Sequence, residues 1–358
     1  VTAPALDWRR FRSAFPATDD LVYLDHAGGG PLSSRVQERL ARYAHDAAHL
    51  GAFEGPAVWE TERERTRERA AQLLSADAPE IAFPTGAREG LRQLLLALDW
   101  RRGDAFLLRD ADPDALPASE VLRRKGVRLR RVAPAGQPPS PRALADALAS
   151  PAARLLLTRS VEPGSGARVD LAALGRQCRE RGALLAVDAS SSLGALALAP
   201  RALGVDLLVC DGHRWLGSVR GCGITYCGRE LRDRVPLRDE VDADSPGIAA
   251  LGGALDLLLE AGPRAVEERV VGLAGRLARR LREQGFVVRT PEDPAAVSGV
   301  VLFAPKGSES AEALRERLHR ERIHVGVSGD LVRAAPHFYT DEDELETLVT
   351  RSEPRRAG

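Results

Sequence analysis

The sequence predicts an α/β fold: a mostly parallel sheet with helices on both faces, followed by a second, smaller α/β unit. Three observations carry this. Between residues 81 and 227, short apolar runs alternate with stretches of helical length, the pattern of a sheet covered on both sides. One of these runs, Asp206-Leu207-Leu208-Val209-Cys210, reads as a buried strand and empties into the polar turn Asp211-Gly212-His213-Arg214. Beyond residue 240, helices alternate with short strands on a smaller scale. The expected organisation is an N-terminal segment 1–18 lying on the small domain, a large domain 19–240 and a small C-terminal domain 241–358.

Taken in order, residues 6–15 carry apolar positions at helical spacing. Tyr23-Leu24-Asp25 is a short strand running into Gly28-Gly29-Gly30, where missing side chains permit close backbone approach. Two helices are expected, 33–49 and 56–74, the second dense in Glu and Arg at i,i+4 spacing. Ile81-Ala82-Phe83 enters the turn Pro84-Thr85-Gly86-Ala87-Arg88, which opens a helix over 91–98. A helix start of this kind offers free N–H groups and a positive dipole end to an anion. Strands follow at 105–108, 127–132, 154–158 and 183–188, separated by helices at 116–124, 141–149 and 171–181. In the C-terminal part, helices at 246–259, 263–284 and 311–320 accompany strands at 287–288, 300–303 and 324–327.

The 51 basic and 51 acidic residues balance, so electrostatics give no case for nucleic acid or an anionic membrane. Only Lys125 and Lys306 are lysines; the other basic residues are arginines. Cys178, Cys210, Cys222 and Cys227 lack paired CxxC spacing and read as buried thiols in a reducing compartment. No basic-then-apolar leader and no apolar run of membrane length is visible, so a cytoplasmic protein is expected. His, Cys and carboxylate spacings suggest no metal site, and no Gly-x-Ser-x-Gly elbow occurs.

Three segments carry a family resemblance: Val187-Asp188-Ala189, the stretch from Cys210 to Gly223, and Arg333-Ala334-Ala335-Pro336-His337-Phe338-Tyr339. In this order they resemble the aminotransferase class V family, the group that includes cysteine desulfurases, and the resemblance extends from Tyr23 to Tyr339. It implies the pyridoxal phosphate (PLP) transferase fold type I, a three-layer αβα large domain with a mostly parallel seven-stranded sheet, and a homodimer with the site at its interface. It also implies roles. Asp188 matches the partner of the pyridinium nitrogen. Ser191 stands where relatives commonly have Gln. Gly86, Ala87 and Arg88 take the place of a Gly-Ala-Thr phosphate motif. Asp211 replaces a hydroxyl residue of the same cup, next to His213, and Arg333 matches the receiver of the substrate carboxylate.

The departures from that pattern decide the functional expectation. The residue after His213 is Arg214, where relatives have the Lys that holds PLP as an imine; a guanidinium stays protonated and is a poor nucleophile. Asp211 would face a phosphate dianion with like charge. The turn Asp110-Ala111-Asp112 lacks the ring-stacking His, and the loop 325–333 lacks the desulfurase Cys. Opposite charges at positions that the resemblance brings together suggest that Arg88 pairs with Asp211 and Arg214 with Asp188, filling the old cavity. Three readings follow: a PLP-independent protein, non-catalytic or repurposed for a small carboxylate or amino-acid-like ligand through Arg333; an enzyme using His213, Asp188 and Arg214 as acid–base or anion-binding groups; or one holding PLP or pyridoxamine phosphate noncovalently. No covalent cofactor is expected.

Overall fold

A computed structural model describes residues 6–134, 137–232, 234–235 and 245–354. In chain order the strands are β1 (Val22–Tyr23), β2 (Ile81–Ala82), β3 (Ala105–Leu108), β4 (Arg128–Arg131), β5 (Ala153–Arg159), β6 (Leu184–Asp188), β7 (Leu207–Asp211), β8 (Gly223–Cys227), β9 (Val301–Phe303), β10 (Ile323–His324), β11 (Gly326–Ser328) and β12 (Leu331–Ala334). The helices are α1 (Trp8–Arg12), α2 (Ser34–Leu74), α3 (Ala87–Ala97), α4 (Ser119–Arg124), α5 (Pro141–Leu148), α6 (Leu171–Glu180), α7 (Pro200–Leu203), α8 (Arg229–Arg232), α9 (Ser245–Ala261), α10 (Pro263–Glu283), α11 (Ala311–Arg320) and α12 (Glu342–Ser352).

A seven-stranded sheet ordered β2-β8-β7-β6-β5-β3-β4 forms the centre. From β7 to β4 every neighbouring pair is parallel, while β8 runs antiparallel to both β7 and β2. β3 and β8 are buried at every position, as strands covered on both faces must be. The covering helices show why. α3 buries Ala87, Gly90, Leu91, Leu94 and Leu95, and α6 buries Leu171, Leu174, Gly175 and Cys178, each an i, i+3, i+4, i+7 stripe. All four cysteines are buried and free.

A second sheet, β11-β12-β9, is antiparallel. It packs its apolar face with α10, α11 and α12 around Leu277, Phe303, Leu314, Val332 and Leu348. β1 pairs in parallel with β10, so the N-terminal strand is stitched to the C-terminal part. α1 lies on the same part: Phe11 meets Phe338 edge to face at 5.7 Å, and Arg12 Nη1 donates to Glu344 Oε2 at 2.8 Å.

Some elements differ from expectation. The two helices expected over 33–74 are not among them: they are present within Ser34–Leu74 and meet at a break at Gly51, whose φ of 56° and ψ of −156° leave the helical region. The helix expected from residue 116 begins at Ser119, because Pro117 and the left-handed Ala118 (φ 63°) precede it. Residues 287–288 contribute only a single bridge, Val288 to Phe303. The acidic segment expected to be irregular at 239–245 falls outside the described residues up to position 244.

Candidate functional site

Because β7, β6, β5 and β3 run parallel, their carboxyl ends lie along one edge of the sheet, the usual position for ligands in open α/β sheets. Each end carries charge: Asp211 closes β7, Asp188 closes β6, Arg159 closes β5, and Arg109-Asp110 follow β3. Arg159 and Asp188 are register partners. Asp188 Oδ1 accepts from the Ser190 N–H at 3.0 Å and has no ion pair among the described residues. Arg109 is buried and pairs with Glu162, with Asp110 Oδ2 at 3.8 Å. Burial pushes the Asp110 carboxyl above its ordinary range, and the Asp188 charge acts in the same direction, against the nearby Arg159 and Arg109.

Asp211 reaches the start of α3 with its side chain. The Ser190 hydroxyl accepts its N–H at 3.1 Å, fixing the end of β7. Oδ1 of the side chain accepts the Ala87 N–H at 2.9 Å, and a Cβ on Gly86 would stand 3.1 Å from the same oxygen. The carboxylate thus takes one of the free donors that opens α3, the kind of group otherwise offered to an anion. Oδ2 lies 3.5 Å from Arg214 Nε, an ion pair longer than a hydrogen bond. Arg214 Nη1 donates to the Ala27 carbonyl at 3.2 Å.

The two expected charge pairs are therefore corrected. Arg88 does not meet Asp211: as the second residue of α3 its side chain turns outward, and Nη1 donates to the Ala115 carbonyl at 2.9 Å. Arg214 does not meet Asp188; it folds back within its own turn onto Asp211, three residues earlier. His213 is half-buried. Its carbonyl accepts the Gly30 N–H at 2.9 Å, and burial, then the neighbouring Arg220 charge, hold its imidazole below the usual pKa. Ser191 is half-buried beside Ser190.

Arg333, on β12, is engaged: Nη2 donates to Asp25 Oδ1 at 2.8 Å and Nε to the same oxygen at 3.3 Å. Glycines make room for this pair. A Cβ at Gly28 would lie 2.8 Å, and at Gly326 2.6 Å, from Arg333 Nη2. Burial raises the Asp25 carboxyl despite the guanidinium that opposes it. Nearby, the Tyr23 hydroxyl donates to the Gly29 carbonyl, and burial, then the Asp25 charge, push it up to about 12. Sequence reasoning missed Asp25 as the partner of Arg333. It also missed the Arg109–Glu162 pair. The one available signal was that Asp25 and Arg109 follow closely on short apolar runs.

Neither lysine stands on this rim. Lys125 caps the end of α4, and Lys306 Nζ reaches Glu353 at 2.7 Å while lying over the Phe286 ring. Among the described residues no group of three or more His, Cys, Asp or Glu could hold a metal ion, and no helix is long and apolar enough to cross a membrane.

The fold is that of the PLP-dependent transferases of fold type I. The apo structure of a cysteine desulfurase from Thermococcus onnurineus NA1 superposes with a TM-score of 0.84 at 21% identity, covering 98% of each chain. A lysine-to-alanine mutant of C-DES with glycine covalently linked to its PLP cofactor gives 0.85 at 22% identity, covering 97% of this chain and 99% of that one. The family model of aminotransferase class V matches residues 22–239, and the chain belongs to that family. Curated relatives include a protein named "Probable cysteine desulfurase" from Methanothermobacter thermautotrophicus, 24% identical over 94% of this chain and 95% of that one. Isopenicillin N epimerase from Amycolatopsis lactamdurans is 26% identical over 96% and 98%.

Proposed function

We propose that this chain is a class V member that works without PLP and serves to bind, or to convert, a small carboxylate-bearing metabolite. One observation carries the reading: the Asp211 carboxylate sits on the Ala87 N–H at the mouth of α3 and against Arg214. A phosphate dianion brought to the same donor would meet an ionised carboxylate at hydrogen-bond range, a strongly repulsive contact in a partly shielded site. The position after His213 offers a guanidinium in place of an amine. These residues do not fit PLP, and no step is assigned through it. Under the same reading His213, Asp188 and Arg214 are the acid–base or anion-binding candidates. A ligand carboxylate at Arg333 must displace, or share the guanidinium with, Asp25. The proposal includes the division into large (19–240) and small (241–358) domains, a cytoplasmic location and a homodimer.

The test is a PLP titration of the purified full chain, followed by gel filtration and by borohydride reduction. The expected result is colourless protein with no reduced adduct. Arg214→Lys alone is expected to stay colourless as well, since Asp211 remains in the cup. A second reading, PLP or pyridoxamine phosphate held noncovalently, is favoured by Asp188, which remains without an ion pair among the described residues. Yellow colour in the wild type that survives gel filtration would establish that reading and sink the first.

A further inference from the structure

Near the rim an open cleft of ≈ 810 Å³ lies between α3 and the segment leading into α4, with Asp211 at one end. That volume falls in the range of small-ligand sites. Its charged wall residues are Arg88, Glu89, Arg92, Asp114, Glu120 and Asp211. Five of the six are compensated: Glu89 pairs with Arg92, Asp114 with Arg123, Glu120 with Arg124 and Asp211 with Arg214. Arg88 is the exception. Among the described residues it has no carboxylate partner, and its one bond, from Nη1 to the Ala115 carbonyl, leaves Nε and Nη2 as donors. Next to it the wall is apolar, formed by Leu96, Leu116, Pro117 and Val121, with Val121 41% exposed.

We infer that this cleft is a binding site for an organic monocarboxylate with an apolar body. The carboxylate would sit on Arg88, whose planar fork suits two parallel hydrogen bonds. The hydrocarbon part would cover mainly the partly exposed Leu96 and Val121, above the buried Leu116 and Pro117, removing apolar surface from water. Asp211 closes the inner end with negative charge. That favours a ligand carrying a single anionic group at its Arg88 end and disfavours a phosphate or dicarboxylate. The inference rests on the PLP-free reading above, because it requires the cup end of the cleft to be sealed by Asp211. It moves the carboxylate receiver from Arg333, which Asp25 already engages, to Arg88.

The experiment is calorimetric and thermal-shift titration of the full chain with hexanoate, with hexylamine and inorganic phosphate as counter-probes. Wild type is expected to bind hexanoate saturably and neither counter-probe. Arg88→Gln, which keeps a donor near the Ala115 carbonyl at an exposed position, is expected to weaken hexanoate at least tenfold. Val121→Asp is expected to weaken it by a similar factor, while Arg333→Gln leaves it unchanged. Loss of binding in Arg333→Gln but not in Arg88→Gln, absence of hexanoate binding, or equal binding of phosphate would each overturn the inference. Unchanged melting temperatures of the ligand-free variants separate lost binding from lost fold. PLP binding by the wild type is measured separately. Hexanoate failure without PLP binding defeats this site alone, whereas PLP binding defeats the reading beneath it.

Discussion

The strands of the seven-stranded sheet and the rim at their carboxyl ends obey different rules. Within the strands, Leu107, Leu156, Leu185, Val187 and Leu208 are buried in one apolar cluster and Phe106, Leu155 and Val209 in another, with no charge among them to compensate. One or two residues further along the same strands stand Arg109, Asp110, Arg159, Asp188 and Asp211. The strand interiors hold the fold through apolar burial, which tolerates many sequences of suitable size. The rim holds its charges through particular pairs, and a single changed residue redirects them. The architecture can therefore match PLP enzymes over nearly their whole length while the rim carries an internal carboxylate where a phosphate cup is expected. Fold and activity are separable, and under the PLP-free reading proposed above the separation would run along one edge of one sheet.

The largest effect expected is in the strands. Phe106 on β3 is fully buried and packs its ring 5.8 Å from that of Trp100. Phe106→Ala removes that contact and leaves a cavity, and should cost about 3–5 kcal/mol in urea unfolding. PLP or carboxylate binding is not expected to offset the loss specifically. A cost under about 1 kcal/mol would mean that the strand interior is looser than described.

Acid should find a different weakness, at the junction with the C-terminal part. His337 is fully buried; its ring accepts the Phe338 N–H at 2.8 Å and donates to the Trp215 carbonyl at 2.9 Å, so both nitrogens are used by the neutral ring. Burial lowers its pKa to about 4. The unfolded chain, with a pKa near ~6.5, binds the proton first, so this contribution is intact above about pH 6.5 and is lost as pH falls toward about 4. The loss is on the order of 3 kcal/mol. His26, also buried and held neutral by burial and by His337, adds a loss of the same sign. Unfolding curves between pH 7 and pH 4 should show stability falling, and His337→Gln should flatten the fall. An unchanged slope in that variant would assign the acid sensitivity elsewhere.

Much of the fold was legible in the sequence because its causes are local. Apolar runs such as Leu207 to Cys210 and stripes such as Leu91, Leu94 and Leu95 sit a few residues apart in the chain and can be recognised without knowing what they pack against. The number of strands came from the family resemblance, not from spacing. The rim was legible only as a set of charged positions. Which partner Asp211 takes depends on where α3 begins relative to β7, and Arg88 points outward because the Ala115 carbonyl is within its reach. The Asp25–Arg333 pair joins residues 308 positions apart, and no local pattern announces such a contact. The start expected for α4 went astray because one residue decides it, the left-handed Ala118.

Within the rim, the pair between Asp211 and the opening of α3 should matter moderately. Asp211→Ala leaves the Ala87 N–H without its acceptor and Arg214 without its countercharge, in the manner of a lost helix cap, for a cost of about 1–2 kcal/mol. If the stabilisation came only from the ion pair with Arg214, added salt should reduce the difference between wild type and variant. If it comes mainly from the bond to Ala87, the difference should persist in high salt, because a hydrogen bond to a backbone donor is little affected by screening.

The smallest effect belongs to a charge on the outer wall of the cleft, and it fixes the scale for the others. Glu120 and Arg124 form an i,i+4 pair on α4, each side chain 76% exposed. Such pairs contribute about 0.3–0.5 kcal/mol and lose part of that in salt. Glu120→Gln should therefore move the unfolding midpoint barely beyond error, and its small cost should fade at high ionic strength. A cost above about 1 kcal/mol would show that the α4 wall is held by its charges as the inner rim is, and the contrast between the exposed wall and the buried rim would lose its basis.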